Sequence, residues 1–241
     1  MKPAYVLLAT AAIFASAACN AEKGTNANTN APIEAVAAPN GGDWTKTIVA
    51  TPEGGYLMGN PNADVKFVEY GSMTCPHCAE FAEKGAPQLI DKYVKSGRVS
   101  FEFRNFLRDG LDMSMALVAR CGGPERFFTL SEAMYKDQRS FFERAQAATP
   151  EQQRAASASP AGFADLAGLQ QWAAQRGVPS AKSNACLADQ ATQDKLVQVS
   201  NDVTTQFPGF SGTPTFIING KMIEERTWDA VEPQIRDALG S

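Results

Sequence analysis

The sequence predicts an α/β fold in which two small strand-bearing units flank a long helical insertion. Three observations predict it. A nearly continuous apolar strand pattern, DVKFVEYGS at 64–72, runs directly into a helical pattern and then into an alternating strand pattern, RVSFEFRNF at 98–106. Residues 109–207 then carry helical periodicity and no strand signal. Strand signals return only at TPTFIINGKMI, 213–223, and a last helical pattern follows. Strand, helix and strand in that order imply a right-handed crossover and a parallel pair. The helical stretch is long enough to form a subdomain of its own.

The N-terminus has a different character. Lys2 precedes an apolar stretch, AYVLLATAAIFASAA at 4–18, and Cys19 follows. A positive start, an apolar run and small residues at its end are the layout of a signal peptide, expected over 1–18. Two processing routes are open. One is cleavage after Ala17, in Ala15-Ser16-Ala17. The other is lipidation at Cys19, because Ser16-Ala17-Ala18-Cys19 resembles a bacterial lipobox with Ser16 at the usual leucine position. Residues 19–43 are rich in Asn, Ala, Thr, Pro and Gly and bury little, so they are expected to form a flexible tether.

Order is expected from Trp44. TIVAT (47–51) is a strand candidate, with a turn at Gly54-Gly55. The apolar strand at 64–72 suits a central, two-sided burial. From Cys75 to Gly97 the apolar residues Phe81, Leu89, Ile90, Tyr93 and Val94 keep helical spacing. Pro76 suits the first turn, Pro87 should kink the helix, and Gly97 should end it. In the insertion, MSMALVARC, ERFFTLSEAMYKDQ, FADLAGLQQWAAQRG, SAKSNACLADQ and ATQDKLVQVSNDVTTQF read as helices. Asn219-Gly220 between two apolar runs is a hairpin signal. WDAVEPQIRDALG reads as the last helix, with Thr227 as N-cap and Pro233 blurring its start. The expected domain is therefore built from 44–108 and 208–241, with 109–207 inserted.

Composition excludes some functions. The chain has 22 basic and 26 acidic residues, a net charge of −4, and no basic block. Nucleic-acid binding does not fit. Past the N-terminus there is no apolar run of spanning length. Five cysteines occur: Cys19, Cys75, Cys78, Cys121 and Cys186. Acylating or removing Cys19 leaves four, which can form two pairs in an oxidising compartment.

The chemistry centres on Cys75-Pro76-His77-Cys78. Cysteines two residues apart in a helix's first turn can close a small disulfide ring. The first, Cys75, faces unpaired backbone N–H groups at the positive helix end, which stabilises its thiolate. His77 can add charge or a hydrogen bond. Cys78, one turn further in, is the expected resolving thiol. A stabilised thiolate makes the disulfide an oxidant. A metal site would need three or four ligands. The sole histidine, His77, lies inside the pair and no second C-x-x-C exists, so no metal is expected. A purely structural bridge over so short a loop would remove little chain entropy.

With CPHC at a strand-to-helix junction, a helical insertion, and then Gly212-Thr213-Pro214-Thr215-Phe216, the sequence resembles the thioredoxin fold. More narrowly it resembles the DsbA-type thiol:disulfide oxidoreductases, over about residues 44–240. The resemblance implies a thioredoxin-like α/β fold with an inserted helical subdomain. It makes Cys75 the nucleophile, Cys78 the resolving cysteine, and Pro76 and His77 the tuning dipeptide. Thr213 and a cis Pro214 would face the pair and bind extended substrate. Glu69 would be a buried acid that moves protons, a partly exposed strand glutamate being the alternative. Ala82 stands where some relatives carry a second buried acid. Glu80 and Glu83 read as solvated. Cys121 and Cys186 would form a structural disulfide like that of alphaproteobacterial members, two buried free thiols being the alternative.

The implied function is a periplasmic oxidoreductase that introduces disulfides into reduced exported polypeptides. It needs no cofactor, is reoxidised by a quinone-linked membrane partner, and is tethered by lipid at Cys19. A disulfide reductase or isomerase and a metallochaperone lipoprotein are the alternatives. Phe127, Phe128, Phe141, Phe142 and Trp172 read as insertion core. Met73 and Phe210 are open between a peptide groove and ordinary packing.

Overall fold

A computed structural model of the chain describes Met1 and residues 33–240. The expected signal peptide, apart from Met1, and Cys19 with the first part of the tether lie outside the described residues. The later part of the expected tether is docked. Ile33 packs against the main core, the Val36 N–H donates to Ser96 O at 2.7 Å, and Trp44 Nε1 donates to Val36 O at 2.7 Å. Ile33 docks through its apolar side chain, whereas Val36 is exposed and docks through its backbone.

The strands are β1 (Ile48–Ala50), β2 (Tyr56–Gly59), β3 (Val65–Gly71), β4 (Val99–Asn105), β5 (Thr215–Ile218) and β6 (Lys221–Ile223). They form one sheet in the order β1-β2-β4-β3-β5-β6. β3 and β4 are parallel, with Glu69 opposite Phe103, and the other pairs are antiparallel. Strand β2 carries no signal in the sequence, because its four residues, Tyr56–Gly59, are too few to display a period. The β5–β6 turn has Asn219 at φ 49° and Gly220 at φ 81°, the left-handed pair that a two-residue hairpin requires.

The helices are α1 (Pro76–Lys84), α2 (Ala86–Gln88), α3 (Gly110–Arg120), α4 (Pro124–Lys136), α5 (Gln138–Ala147), α6 (Pro150–Ala156), α7 (Pro160–Ala167), α8 (Leu169–Gln175), α9 (Ser180–Leu187), α10 (Gln190–Gln206) and α11 (Trp228–Leu239). Two corrections apply. The helix expected over 75–97 is broken after Lys84, and after α2 it continues as a π-helical turn, Leu89–Val94. Pro87 withholds the N–H that would have carried the α-helical ladder through. The single helix expected at FADLAGLQQWAAQRG is two, because Gly168 takes φ +71° and caps α7 in the left-handed region. Helices α5 and α6 were not among the expected patterns. No helix of the described residues is long and apolar enough to cross a membrane.

Alternation along the strands sorts the sheet's two faces. Phe67 on β3, Phe101 and Phe103 on β4, and Phe216 and Ile218 on β5 point to one face, where they join one core with α1, α11 and the insertion. Phe67 has ring centroids 5.2 Å from Phe216 and 6.2 Å from Phe81. Val68, Tyr70 and Ile217 point to the other face, where Val199 and Val203 of α10 cover them. Phe127, Phe141 and Trp172 are buried in the main core, with Phe128 and Phe142 packed partly exposed against it. Met73 is fully buried, so it offers no groove surface. Phe210 packs against Tyr70 and Phe106 on the second face.

Candidate active site

Strand β3 ends at Gly71, and residues 72–75 turn the chain into α1. Cys75 is the N-cap of α1, with extended φ −87°, ψ 122°, and Pro76 occupies the first turn. This conformation turns the Cys75 sulfur toward the backbone N–H groups of His77 and Cys78. Those donors have no intrahelical acceptor, so they are available to a thiolate. The peptide between Thr213 and Pro214 is cis, and it lies across from the pair: the Cys75 thiol donates to Thr213 O at 3.2 Å. Cys75 and Cys78 are both free thiols here. Cys75 is the outer of the two, at 4% exposure against 0% for Cys78.

The two sulfurs have opposite acidities. A hydrogen bond from the Cys78 thiol holds Cys75 down to about 5, and hydrogen bonds from the Thr213 side chain and the two amides add to it, against the opposing effect of burial. Cys78 is pushed well above the ordinary thiol range, first by burial, then by its bond to Cys75 and the charge of Glu69. Its sulfur does receive one backbone donor, the Ser72 N–H at 3.5 Å. The imidazole of His77 is not part of this arrangement. Its side chain is 79% exposed and faces Glu80 Oε2 at 3.8 Å. What His77 gives Cys75 is its backbone N–H.

Glu69 lies on the same face of β3 as Phe67, under α1, and is 3% exposed. Burial first, and then the Cys75 charge, push its carboxyl well above the usual range. Its Oε1 has no hydrogen-bond partner among the described residues. It borders a cavity of about 270 Å³ between α1, α4 and the sheet, which Ala82, Ser131, Glu132 and Tyr135 also line. Glu80 and Glu83 are exposed; Glu80 pairs with Lys84 at 2.8 Å.

A second set of residues holds the turn before Cys75, and every one follows β4 in the chain. Asp112 on α3 accepts from Ser72 Oγ (2.5 Å), Met73 N (2.8 Å) and Arg108 N (3.0 Å). Arg108 Nη1 donates to Thr74 O at 3.0 Å. Tyr135 on α4 donates to Ser72 O at 3.2 Å. Gln138 on α5 donates to Met73 O (2.8 Å) and Cys75 O (3.1 Å). Sequence reasoning missed all four. Asp109 and Asp112, three apart at a helix start, carry an N-cap signature. Asp109 does cap, accepting from the Asp112 N–H at 2.8 Å, but only the folded chain shows that Asp112 turns inward. Its burial raises its carboxyl to about 7 although hydrogen bonds from Ser72, Arg108 and Met73 favour the ionised form.

Cys121, the C-cap of α3, and Cys186 on α9 form a disulfide with Cα atoms 5.8 Å apart. It joins two helices of the insertion.

The comparisons with known proteins agree with this geometry. A family model described as thioredoxin matches residues 51–237. A solved structure described as a protein-disulfide isomerase from Novosphingobium aromaticivorans is 32% identical with a TM-score of 0.72, and the match covers 78% of this chain and 98% of that one. Wolbachia pipientis alpha-DsbA1, at 23% identity and a TM-score of 0.63, shares the fold over 76% of this chain and 90% of its own. A Rickettsia prowazekii protein named "Putative protein-disulfide oxidoreductase" is 27% identical over 195 residues, 81% of this chain. The chain spans just under two thirds of the length of that curated relative, 65%. A Cys-X-X-Cys pair at a strand-to-helix turn, a facing cis proline and the matched family model all lead to one assignment: the chain belongs to the thioredoxin family, among its DsbA-like thiol:disulfide oxidoreductases.

Proposed function

We propose that this protein oxidises pairs of cysteine thiols in exported polypeptides, by exchange through Cys75 and Cys78. The observation that carries the reading is the unequal acidity of the two sulfurs, Cys75 held near 5 and Cys78 pushed up. A stabilised Cys75 thiolate favours the reduced pair, which makes the disulfide an oxidant.

A substrate thiolate attacks Cys75 Sγ, a substrate–Cys75 bond forms, and the Cys75–Cys78 bond breaks with its electron pair on Cys78. Cys78 needs a proton, and Glu69, kept protonated by burial, is the nearby acid. The substrate's second thiolate then attacks its own sulfur in the mixed disulfide. Cys75 departs as a thiolate that needs no proton, since its pKa of about 5 makes it a good leaving group. The substrate leaves with a disulfide and the pair leaves with two electrons. The cavity beside Glu69 is roomy and polar enough for water, which can return a proton to it. The Thr213–Pro214 backbone offers an extended substrate its hydrogen-bonding edge, and Pro76 presets the turn.

The cycle closes with a membrane quinone-linked reoxidant. The cell compartment is the periplasm, with a lipid at Cys19 as the anchor. The Cys121–Cys186 bridge fits an oxidising compartment. A second reading, isomerisation of wrongly paired disulfides, is favoured by the description of the Novosphingobium relative. The test is trapping. Cys78→Ser, its Cys75 first converted to a mixed disulfide with thionitrobenzoate, should form a covalent adduct with a reduced, unfolded polypeptide as the substrate thiolate attacks Cys75 Sγ and thionitrobenzoate leaves; a reductant should release the adduct, and Cys75→Ser treated alike should give none. An adduct with neither variant refutes exchange through Cys75. A wild type that repairs scrambled substrates but cannot oxidise reduced ones would favour the isomerase.

A further inference from the structure

We propose that Asp112 is a positioning residue of the redox site: its carboxylate holds the Ser72–Met73 turn so that the Ser72 amide meets the charge arriving on Cys78. This rests on the exchange reading above. Asp112 is fully buried and lies on a different element from the pair. Its two oxygens take the Ser72 hydroxyl at 2.5 Å and the Met73 N–H at 2.8 Å. Ser72 is thereby fixed at its side chain and at the peptide after it. The N–H of the same residue reaches Cys78 Sγ at 3.5 Å. The path from the insertion to the buried sulfur is therefore one residue long.

The chemistry needs such a donor. When an incoming thiolate attacks Cys75, the electron pair of the broken S–S bond arrives on Cys78 inside the core. Before the Glu69 proton is transferred, the Ser72 N–H is the backbone donor on that sulfur. If the turn loosens, Cys78 becomes a poorer leaving group and reduction of the disulfide slows. The Cys75 thiolate has its own donors on α1 and at Thr213 and should be indifferent to Asp112.

The same geometry makes the rate pH-dependent. The groups facing Asp112 are Asp109 at the start of α3, the Arg108 backbone and guanidinium, Tyr135 from α4, and, beyond Tyr135, Glu69, Cys75 and Cys78. Burial first, and then Asp109, work against its charge. Ionised, Asp112 accepts from all three donors; protonated, it gives up acceptor capacity toward Ser72 and Arg108.

The experiment follows the reduction of the oxidised full chain by dithiothreitol, with each rate divided by the dithiothreitol thiolate concentration, between pH 5.5 and 9. Wild type should show an inflection near neutrality, the rate rising on the alkaline side. Asp112→Asn should slow the alkaline rate about three- to tenfold, since a hydrogen bond to a thiolate is worth roughly one to two pKa units and exchange responds to about half of that. It should also lose the inflection, while the Cys75 thiolate titration stays where it is in wild type. Glu69→Gln should keep the inflection. Ser72→Ala, which keeps the carboxylate, should slow the reaction less and also keep it. A merely structural Asp112 would lower the denaturation midpoint and leave rate and pH profile alone, and that result overturns the proposal. So does a wild-type profile without the inflection, which needs no variant to fold. Failure of wild type to be reduced at all would instead overturn the exchange reading.

Discussion

Reducing the Cys75–Cys78 bond should change how stability depends on pH, and the change can be sized from the site. In the reduced folded protein Cys75 ionises near 5, against an ordinary value of 9.0. A group with a depressed folded pKa contributes stability that is complete above the unfolded value and is lost as pH falls through the folded one. The window is therefore pH 5 to 9. At pH 7 the gain is two units above the folded pKa, and at 1.36 kcal/mol per unit that is about 3 kcal/mol. Below pH 5 it vanishes. Because the oxidised protein has no Cys75 thiol to titrate, the difference in unfolding free energy, reduced minus oxidised, isolates this contribution. Most carboxylates cancel in that difference. Glu69 does not cancel fully, because the Cys75 charge raises it, so the pair of curves should also be taken with Glu69→Gln. The same free energy corresponds to about 60 mV of oxidising potential in a two-electron couple. The assay is urea unfolding of both redox forms from pH 4 to 8. The difference should grow by about 3 kcal/mol between pH 4 and 7. A flat difference would refute the claim that the folded site stabilises the thiolate.

Three further outcomes are expected. Removing the Cys75-facing hydroxyl with Thr213→Ala should raise the Cys75 thiolate midpoint by about one unit, read by thiolate absorbance. Replacing both Cys121 and Cys186 by Ala opens a loop with a sequence separation of 65 and should lower stability by up to about 4 kcal/mol, without moving that midpoint. Asp112 is an acid whose folded pKa, about 7, lies above its ordinary 3.8, and in the oxidised protein no Cys75 thiol titrates against it. The folded state therefore holds the proton more tightly, and stability should fall by up to about 4 kcal/mol as pH rises from 4 to beyond 7. Asp112→Asn should remove most of that slope in urea unfolding curves.

The parts of this molecule that were legible in the sequence are those with local signatures. β3, β4 and the β5–β6 hairpin declare themselves through apolar runs, alternation and Asn219-Gly220. CPHC can be placed at a helix start because a strand stops just before it. β2 is illegible because it is four residues long and is stabilised by its neighbours on both sides. The breaks at Lys84 and Gly168 are visible only as a proline and a glycine inside otherwise sound helical periods. The inward turn of Asp112 and the bonds from Arg108, Tyr135 and Gln138 depend on where the insertion packs, and nothing local encodes that. His77 shows the opposite error: its chemistry is evident in the sequence, yet its imidazole faces solvent while its amide serves the site.

The most direct test of the central claim is the ionisation of Cys75 itself. Thiolate absorbance of the reduced protein would be followed from pH 3 to 10, with Cys75→Ser as the baseline. The account predicts a single low transition near 5 that the baseline lacks, and no ionisation of Cys78 in the same range. A Cys75 midpoint at 8 or above would contradict it, because the amides of His77 and Cys78 and the facing Thr213 would then give the thiolate no advantage.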